Sequence, residues 1–151
     1  MIGVVSDTHG LLRPQAVENL RGVDHIIHAG DIGSAEVLAA LGELAPVTAV
    51  RGNNDRGDWA AAVPETAVLR ASGVAIYVLH DIHELELDPS AAEMAAVIAG
   101  HSHKPLLKTE KGVLYMNPGS IGPRRFKLPV ALGRLVVDNG RVTGEIVHLP
   151  I

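Results

Sequence analysis

Short apolar runs separated by glycine-rich polar stretches mark out the first half of this 151-residue chain. Ile2–Val5, His25–Ala29 and Val47–Val50 read as buried strands: they are short, apolar and rich in β-branched side chains. Between them the period lengthens. Pro14–Leu20 predicts a short helix with Pro in its first turn. Ser34 stands where it could cap a helix to about Leu44, whose Val37, Leu38 and Leu41 share one face before Pro46 ends it.

The second half reads differently. Thr66–Arg70 and Val74–Leu79 flank Ala71-Ser72-Gly73 and predict a hairpin. Pro89-Ser90 with Glu93 predicts a capping-box start for a short helix to about Ala96, followed by strand Val97–Ala99. Leu106–Thr109 and Val113–Met116 form a second hairpin around Lys111-Gly112. A third joins Val130–Val137 to Val142–His148 through Asp138-Asn139-Gly140. Helices early and hairpins late predict an α/β (α+β) fold of two β-sheets packed face to face, with helices on the outer faces. One domain over residues 1–151 is expected.

Composition narrows the function classes. With 47% hydrophobic and 20% charged residues the chain is of globular type. One Trp, two Tyr and one Phe leave little for base stacking, and a net charge of −4 without a dense Lys/Arg run disfavours long nucleic acid. The absence of Cys excludes disulfides, thiol catalysis and zinc-thiolate sites. A first strand beginning at Met1 leaves no room for a signal peptide, and no apolar stretch reaches the length of a membrane span. A soluble cytoplasmic protein is expected.

Metal-seeking residues follow the apolar runs at near-even steps: Asp7-Thr8-His9, Gly30-Asp31, Gly52-Asn53, His80, and Gly100-His101-Ser102-His103. The steps 7→31, 31→53, 53→80 and 80→101 are 24, 22, 27 and 21 residues, about one strand plus one helix or hairpin each. Residues just past neighbouring strand ends meet at one sheet edge, where α/β folds place their sites. Taken singly, each cluster is equally a turn, a cap or a bonded core histidine. Together they offer carboxylate oxygen and imidazole nitrogen, a donor set suited to Mn²⁺, Fe, Co²⁺, Ni²⁺ or Zn²⁺. The glycines before three of them suit tight turns at strand ends.

In this order, with Ser6-Asp7-Thr8-His9-Gly10 and Asn117-Pro118-Gly119-Ser120, these residues resemble the calcineurin-type metallophosphoesterase superfamily. Its small single-domain bacterial and archaeal phosphodiesterases are the branch most similar to this chain. The resemblance implies two packed mixed sheets flanked by helices and two divalent transition metals, Mn²⁺ foremost. It implies Asp7, His9 and His103 at metal 1, Asn53, His80 and His101 at metal 2, and Asp31 as the bridge. Asn53 and His80 are the expected catalytic contacts, because an Asn amide can offer oxygen to a metal and NH₂ to a phosphate oxygen. The implied reaction is in-line attack of a metal-bridging hydroxide on a phosphate ester. A small phosphodiester is the expected substrate, and a homodimer or homotetramer would fit relatives.

The chain departs from the pattern at Asn54. Many relatives carry there a His that protonates the leaving oxygen, paired with an Asp shortly after the Gly-Asp. Asn54 cannot donate a proton near neutrality, and Ile32-Gly33-Ser34-Ala35 contains no Asp. A phosphodiesterase acting best on diesters and activated aryl esters is therefore expected. A metal-binding interaction protein of the same fold with little or no turnover, and a phosphomonoesterase for small metabolites or nucleotides, are the alternatives. Asp81, where relatives carry Gly, is expected to cap the following turn rather than orient a ligand imidazole. His28 is expected to be a bonded core residue, and His25, His83 and His148 surface or strand residues. Arg124, Arg125 and Lys127 fit a subunit contact or solvated loop better than an anion grip. Trp59, with Arg56 and Asp58, would either rim the pocket near Asn53 or pack its loop.

Overall fold

The computed structural model describes residues 1–151. Its elements in chain order are β1 (Ile2–Val5), α1 (Pro14–Leu20), β2 (His25–His28), α2 (Ala35–Gly42), β3 (Val47–Ala49) and α3 (Asp58–Ala61). Then come β4 (Thr66–Ala71), β5 (Val74–Leu79), a 3₁₀ turn at Ile82–Glu84, β6 (Ala96–Ile98), β7 (Leu106–Glu110), β8 (Val113–Asn117), β9 (Ala131–Asp138) and β10 (Arg141–His148).

Two mixed five-stranded sheets result, ordered β10-β9-β1-β2-β3 and β4-β5-β6-β8-β7. In the first, β1, β2 and β3 run parallel and β9 pairs antiparallel with β1. In the second, β5, β6 and β8 run parallel between antiparallel edges. The three hairpins expected from Ser72-Gly73, Lys111-Gly112 and Asn139-Gly140 are present. In each turn both central residues have positive φ, the geometry that matches strand twist in a two-residue loop.

Strand alternation divides the core. Ile2, Val4, Ile27 and Ala29 of the first sheet meet Ile76, Val78, Ile98, Leu114 and Met116 of the second. Fully burying each of the larger of these side chains is worth about 2 kcal/mol. On the other face of the first sheet, Val5 and Ile26 pack with Ala16 and Leu20 of α1 and Val37 and Leu41 of α2.

The helices cover that face alone. The outer face of the second sheet carries only the 3₁₀ turn and a loop, because the helix expected from Pro89 to Ala96 does not form. Ser90–Glu93 is a single turn, capped by the Asp88 side chain, which accepts from the Ser90 and Ala91 N–H groups. Glu93 then takes φ 60°, which ends it. Ser34 does occupy the N-cap of α2 with extended backbone, but its side chain makes no capping bond.

Candidate metal centre

Every metal-seeking cluster lies just past the C-terminal end of a strand: Asp7 and His9 after β1, Asp31 after β2, Asn53 after β3, His80 after β5, and His101 and His103 after β6. The parallel strands of both sheets deliver them to one edge. The turns are tight. Asp7, His9, Asp31, His101 and His103 all have φ between 46° and 71°, a region sparsely populated by non-glycine residues. Such backbones cost roughly 1–3 kcal/mol each and persist where surrounding bonds hold them. Here Asp7 and His9 N–H donate to the carbonyls of Gly30 and Asp31 at 3.0 and 2.9 Å.

Two of the three glycines serve a different purpose from the one expected. Gly30 does turn with positive φ, but Gly52 and Gly100 do not. They allow close approach: a Cβ at Gly52 would collide with Asp31, and one at Gly100 with the Ser6 and Asp7 side chains.

Asp7 shows how the donors are aimed. Its Oδ2 is occupied, accepting from Ser6 Oγ at 2.6 Å and from His101 N–H at 3.1 Å. Its Oδ1 is buried without a hydrogen-bond partner and lies 3.3 Å from His103 Nε2 and 3.8 Å from His9 Nε2. Burial pushes the Asp7 carboxyl up, but His103, Ser6 and the charge of His80 outweigh it and hold it below the usual carboxylate range.

His80 is aimed by a backbone group. Its Nδ1 donates to the Ala29 carbonyl at 2.7 Å, which leaves the Nε2 lone pair free, buried and unpartnered. Burial depresses the imidazole, yet Asp31 and the Ala29 carbonyl raise it above its ordinary value. Asp31 sits between the two groups. Its Oδ2 is 3.3 Å from His80 Nε2 on one side and 3.7 Å from His9 Nε2 on the other. Burial acts to raise its pKa, while His80 and Asn54 push it far below the usual range.

Two donor sets thus converge, Asp7–His9–His103 and Asp31–His80–His101, each with ligand atoms within 4.8 Å of one another. Orphaned, buried Asp7 Oδ1, His9 Nε2 and His80 Nε2 are the atoms a cation would satisfy, and carboxylate with imidazole is the right donor chemistry. Either set could hold a divalent metal. Asn53 is exposed and lines, with His80 and His101, a cavity of about 660 Å³ that Arg51, Glu65, Tyr77, Glu84 and Glu86 help enclose.

The family model for the calcineurin-like phosphoesterase superfamily domain matches residues 1–140. The chain belongs to that superfamily. It is 31% identical to a probable metallophosphoesterase of Methanothermobacter thermautotrophicus, over 98% of this chain and 92% of that one. It is 32% identical to a counterpart from Bacillus subtilis, over 93% and 86%. Among solved structures, a novel archaeal phosphodiesterase superposes with TM-score 0.78 at 25% identity, covering 97% of this chain and 99% of that one. Vps29 of Chaetomium thermophilum shares the fold with TM-score 0.78 at 15% identity, covering 98% and 96%.

Within this calcineurin-like centre the supporting residues were harder to read from sequence. Asp55 is buried and accepts from the N–H groups of Ile32, Gly33 and Gly52, tying the loops after β2 and β3 together. Asn117 donates to the Gly100 carbonyl and Ser102 Oγ, and Ser120 Oγ donates to the Asp7 carbonyl. The Asn117–Ser120 motif therefore clamps the loops after β6 and β1. A side-chain carboxylate or amide inside a Gly/Asn-rich turn was the available signal, but turn residues of that type are common.

The other expectations resolve individually. His28 is a fully buried structural residue, its Nδ1 accepting from Gly30 N–H and its Nε2 3.0 Å from Thr8 Oγ1. Asp81 caps the 3₁₀ turn by accepting from His83 N–H, and stays 3.9 Å from His101 Nε2. Trp59 packs against the core between the first sheet and its helices, and Arg51 rather than Arg56 lines the cavity. Arg124, Arg125 and Lys127 are exposed, with Arg124 Nε donating to the Leu128 carbonyl within their own loop. His25 pairs with Thr48 and His83 with Asp81, while His148 is exposed. No helix is long and apolar enough to cross a membrane.

Proposed function

We propose that this protein hydrolyses phosphodiesters at a dinuclear metal centre. The observation that carries the reading is Asp31, whose carboxylate lies between two converging donor sets with orphaned buried atoms on both sides. Asp7, His9 and His103 would hold one divalent cation and His80, His101 and Asn53 the second, with Asp31 shared and Mn²⁺ the favoured ion. Bound there, two cations supply charge neutralisation at the phosphoryl group and an activated water.

The chain's own residues do the rest. Ser6 and the His101 N–H fix Asp7, the Ala29 carbonyl fixes His80, and Asn54 fixes Asp31, so the donors are preorganised. Asn53 stands exposed at the cavity edge, with an amide NH₂ able to donate to a phosphoryl oxygen and orient the ester for in-line attack. No protein nucleophile is required. No side chain at position 54 can give a proton to the leaving oxygen, which favours diesters and aryl esters with good leaving groups.

The test is an assay of protein stripped of metal and reloaded with Mn²⁺, on a chromogenic diester and monoester, with His101→Ala beside it. Metal-dependent diester hydrolysis, lost in the variant, is the expected result. No metal-dependent turnover of either ester overturns the reading in favour of a metal-binding interaction protein. Monoester turnover faster than diester would make it a phosphomonoesterase.

A further inference from the structure

The segment from Asp81 to Glu86 separates two cavities that both reach His101 of the candidate metal centre. On one side lies the polar cavity already described, which Glu84 and Glu86 line together with His80 and Asn53. On the other lies a second cavity of about 600 Å³, against the outer face of the second sheet that no helix covers. Ile82 and Leu85 line it from the segment and Val97, Leu106 and Tyr115 from the strands, together with His83, Lys104, Lys108 and Glu110. His101 and Asp81 border both. The residues of the segment therefore divide: Glu84 and Glu86 face one cavity, Ile82, His83 and Leu85 the other.

A phosphodiester carries two ester groups on one phosphorus, and two cavities flank His101. Resting on the phosphodiesterase reading, we propose that the second cavity receives an apolar ester group of the substrate. Chemistry assigns the side. An alkyl or aryl group placed against Glu84 and Glu86 would strip water from carboxylates without compensation, whereas beside Ile82, Leu85, Leu106 and Tyr115 it covers apolar surface, and Glu110 there is already paired with Lys108 at 3.6 Å. Leu106 and Ile82 are 48% and 39% exposed, so that surface now faces water. The volume suits a ligand group of this size. The polar cavity is left for an ester group bearing hydroxyls or a cation, and its carboxylates disfavour an anionic one. The substrate class is thus a diester with two unlike arms, one of them apolar.

The test uses the Mn²⁺-reloaded full chain and p-nitrophenyl phosphodiesters whose second group is methyl, butyl or octyl. The expected result is a rise in kcat/KM with chain length, by up to roughly fourfold per methylene while the cavity fills. Calorimetric titration with methyl- and octyl-phosphonate should show the same order in affinity without turnover. Leu106→Ser, on an exposed edge strand, should reduce the octyl-to-methyl ratio of kcat/KM at least fivefold. Hydrolysis of every ester with a flat chain-length series overturns the proposal and leaves the phosphodiesterase reading standing. Hydrolysis of none overturns that reading and the proposal with it. A flat series together with a dimer that Leu106→Ser dissociates would assign the cavity to a subunit contact instead.

Discussion

Asn54 grips the carboxylate of Asp31 twice, its backbone N–H donating to Oδ1 at 2.9 Å and its side-chain amide to Oδ2 at 3.0 Å. Asn54, which stands where the resemblance places a proton donor, thus clamps the carboxylate that the proposed centre would share. Partners of metal ligands are worth 10–100-fold in affinity in comparable sites, roughly. Asn54→Ala should therefore weaken Mn²⁺ binding by about tenfold or more, measured by calorimetric titration. Unchanged affinity would mean that the backbone N–H alone holds Asp31.

On the proposed reading the same position should govern leaving-group preference. A positioned general acid contributes ~10²–10⁴-fold in rate, most for poor leaving groups. Alkyl monoesters should therefore turn over at least ~100-fold more slowly than aryl diesters. Asn54→His should narrow that gap by raising the alkyl rate. Alkyl monoester turnover exceeding that of aryl diesters in the unaltered protein would contradict this.

The convergence of the candidate ligands was legible because each follows an apolar run, and strand ends in an α/β sheet converge whatever the intervening loops do. That rule brings Asp7, Asp31, His80 and His103 to one edge, while their assignment to metals rests on the resemblance. What could not be read was the support. Asp55 looks like any turn aspartate until the loops of Ile32 and Gly52 are folded around it. The lost Pro89–Ala96 helix has a similar cause: Asp88 outcompetes Ser90 as the cap, and Glu93 leaves the helical region within one turn. A bare outer face on the second sheet followed from that local event, and no periodicity in the strands announced it.

Asp55 offers a stability test. Removing its side chain orphans the N–H groups of Ile32, Gly33 and Gly52, and an unsatisfied buried donor costs about 1–3 kcal/mol. Asp55→Ala should lose about 3 kcal/mol or more in urea denaturation. A loss below about 1 kcal/mol would show that water or rearranged loops replace it.

His28 makes stability depend on pH. Gly30 N–H donates to Nδ1, so the neutral ring carries its proton on Nε2, facing Thr8 Oγ1, which in turn donates to the Ile32 carbonyl. Burial pushes the imidazole down to about 4 from 6.5, against the pull of Asp7, Asp55 and Asp31 and with a further push from His80. The folded state resists a proton that the unfolded chain accepts. The contribution is complete above pH 6.5 and is lost as pH falls towards 4, at about 1.4 kcal/mol per pH unit, or roughly 3 kcal/mol in all. In EDTA, the unaltered protein should lose about that much more stability between pH 7.5 and 4 than His28→Asn does. Parallel pH profiles would remove His28 from the explanation.

The most direct measurement is the electron paramagnetic resonance spectrum of metal-stripped protein titrated with Mn²⁺. A carboxylate shared through Asp31 should give two ions per chain with an exchange-coupled signal, collapsing to uncoupled ions in Asp31→Ala. One ion per chain, or two that never couple, would contradict the dinuclear centre.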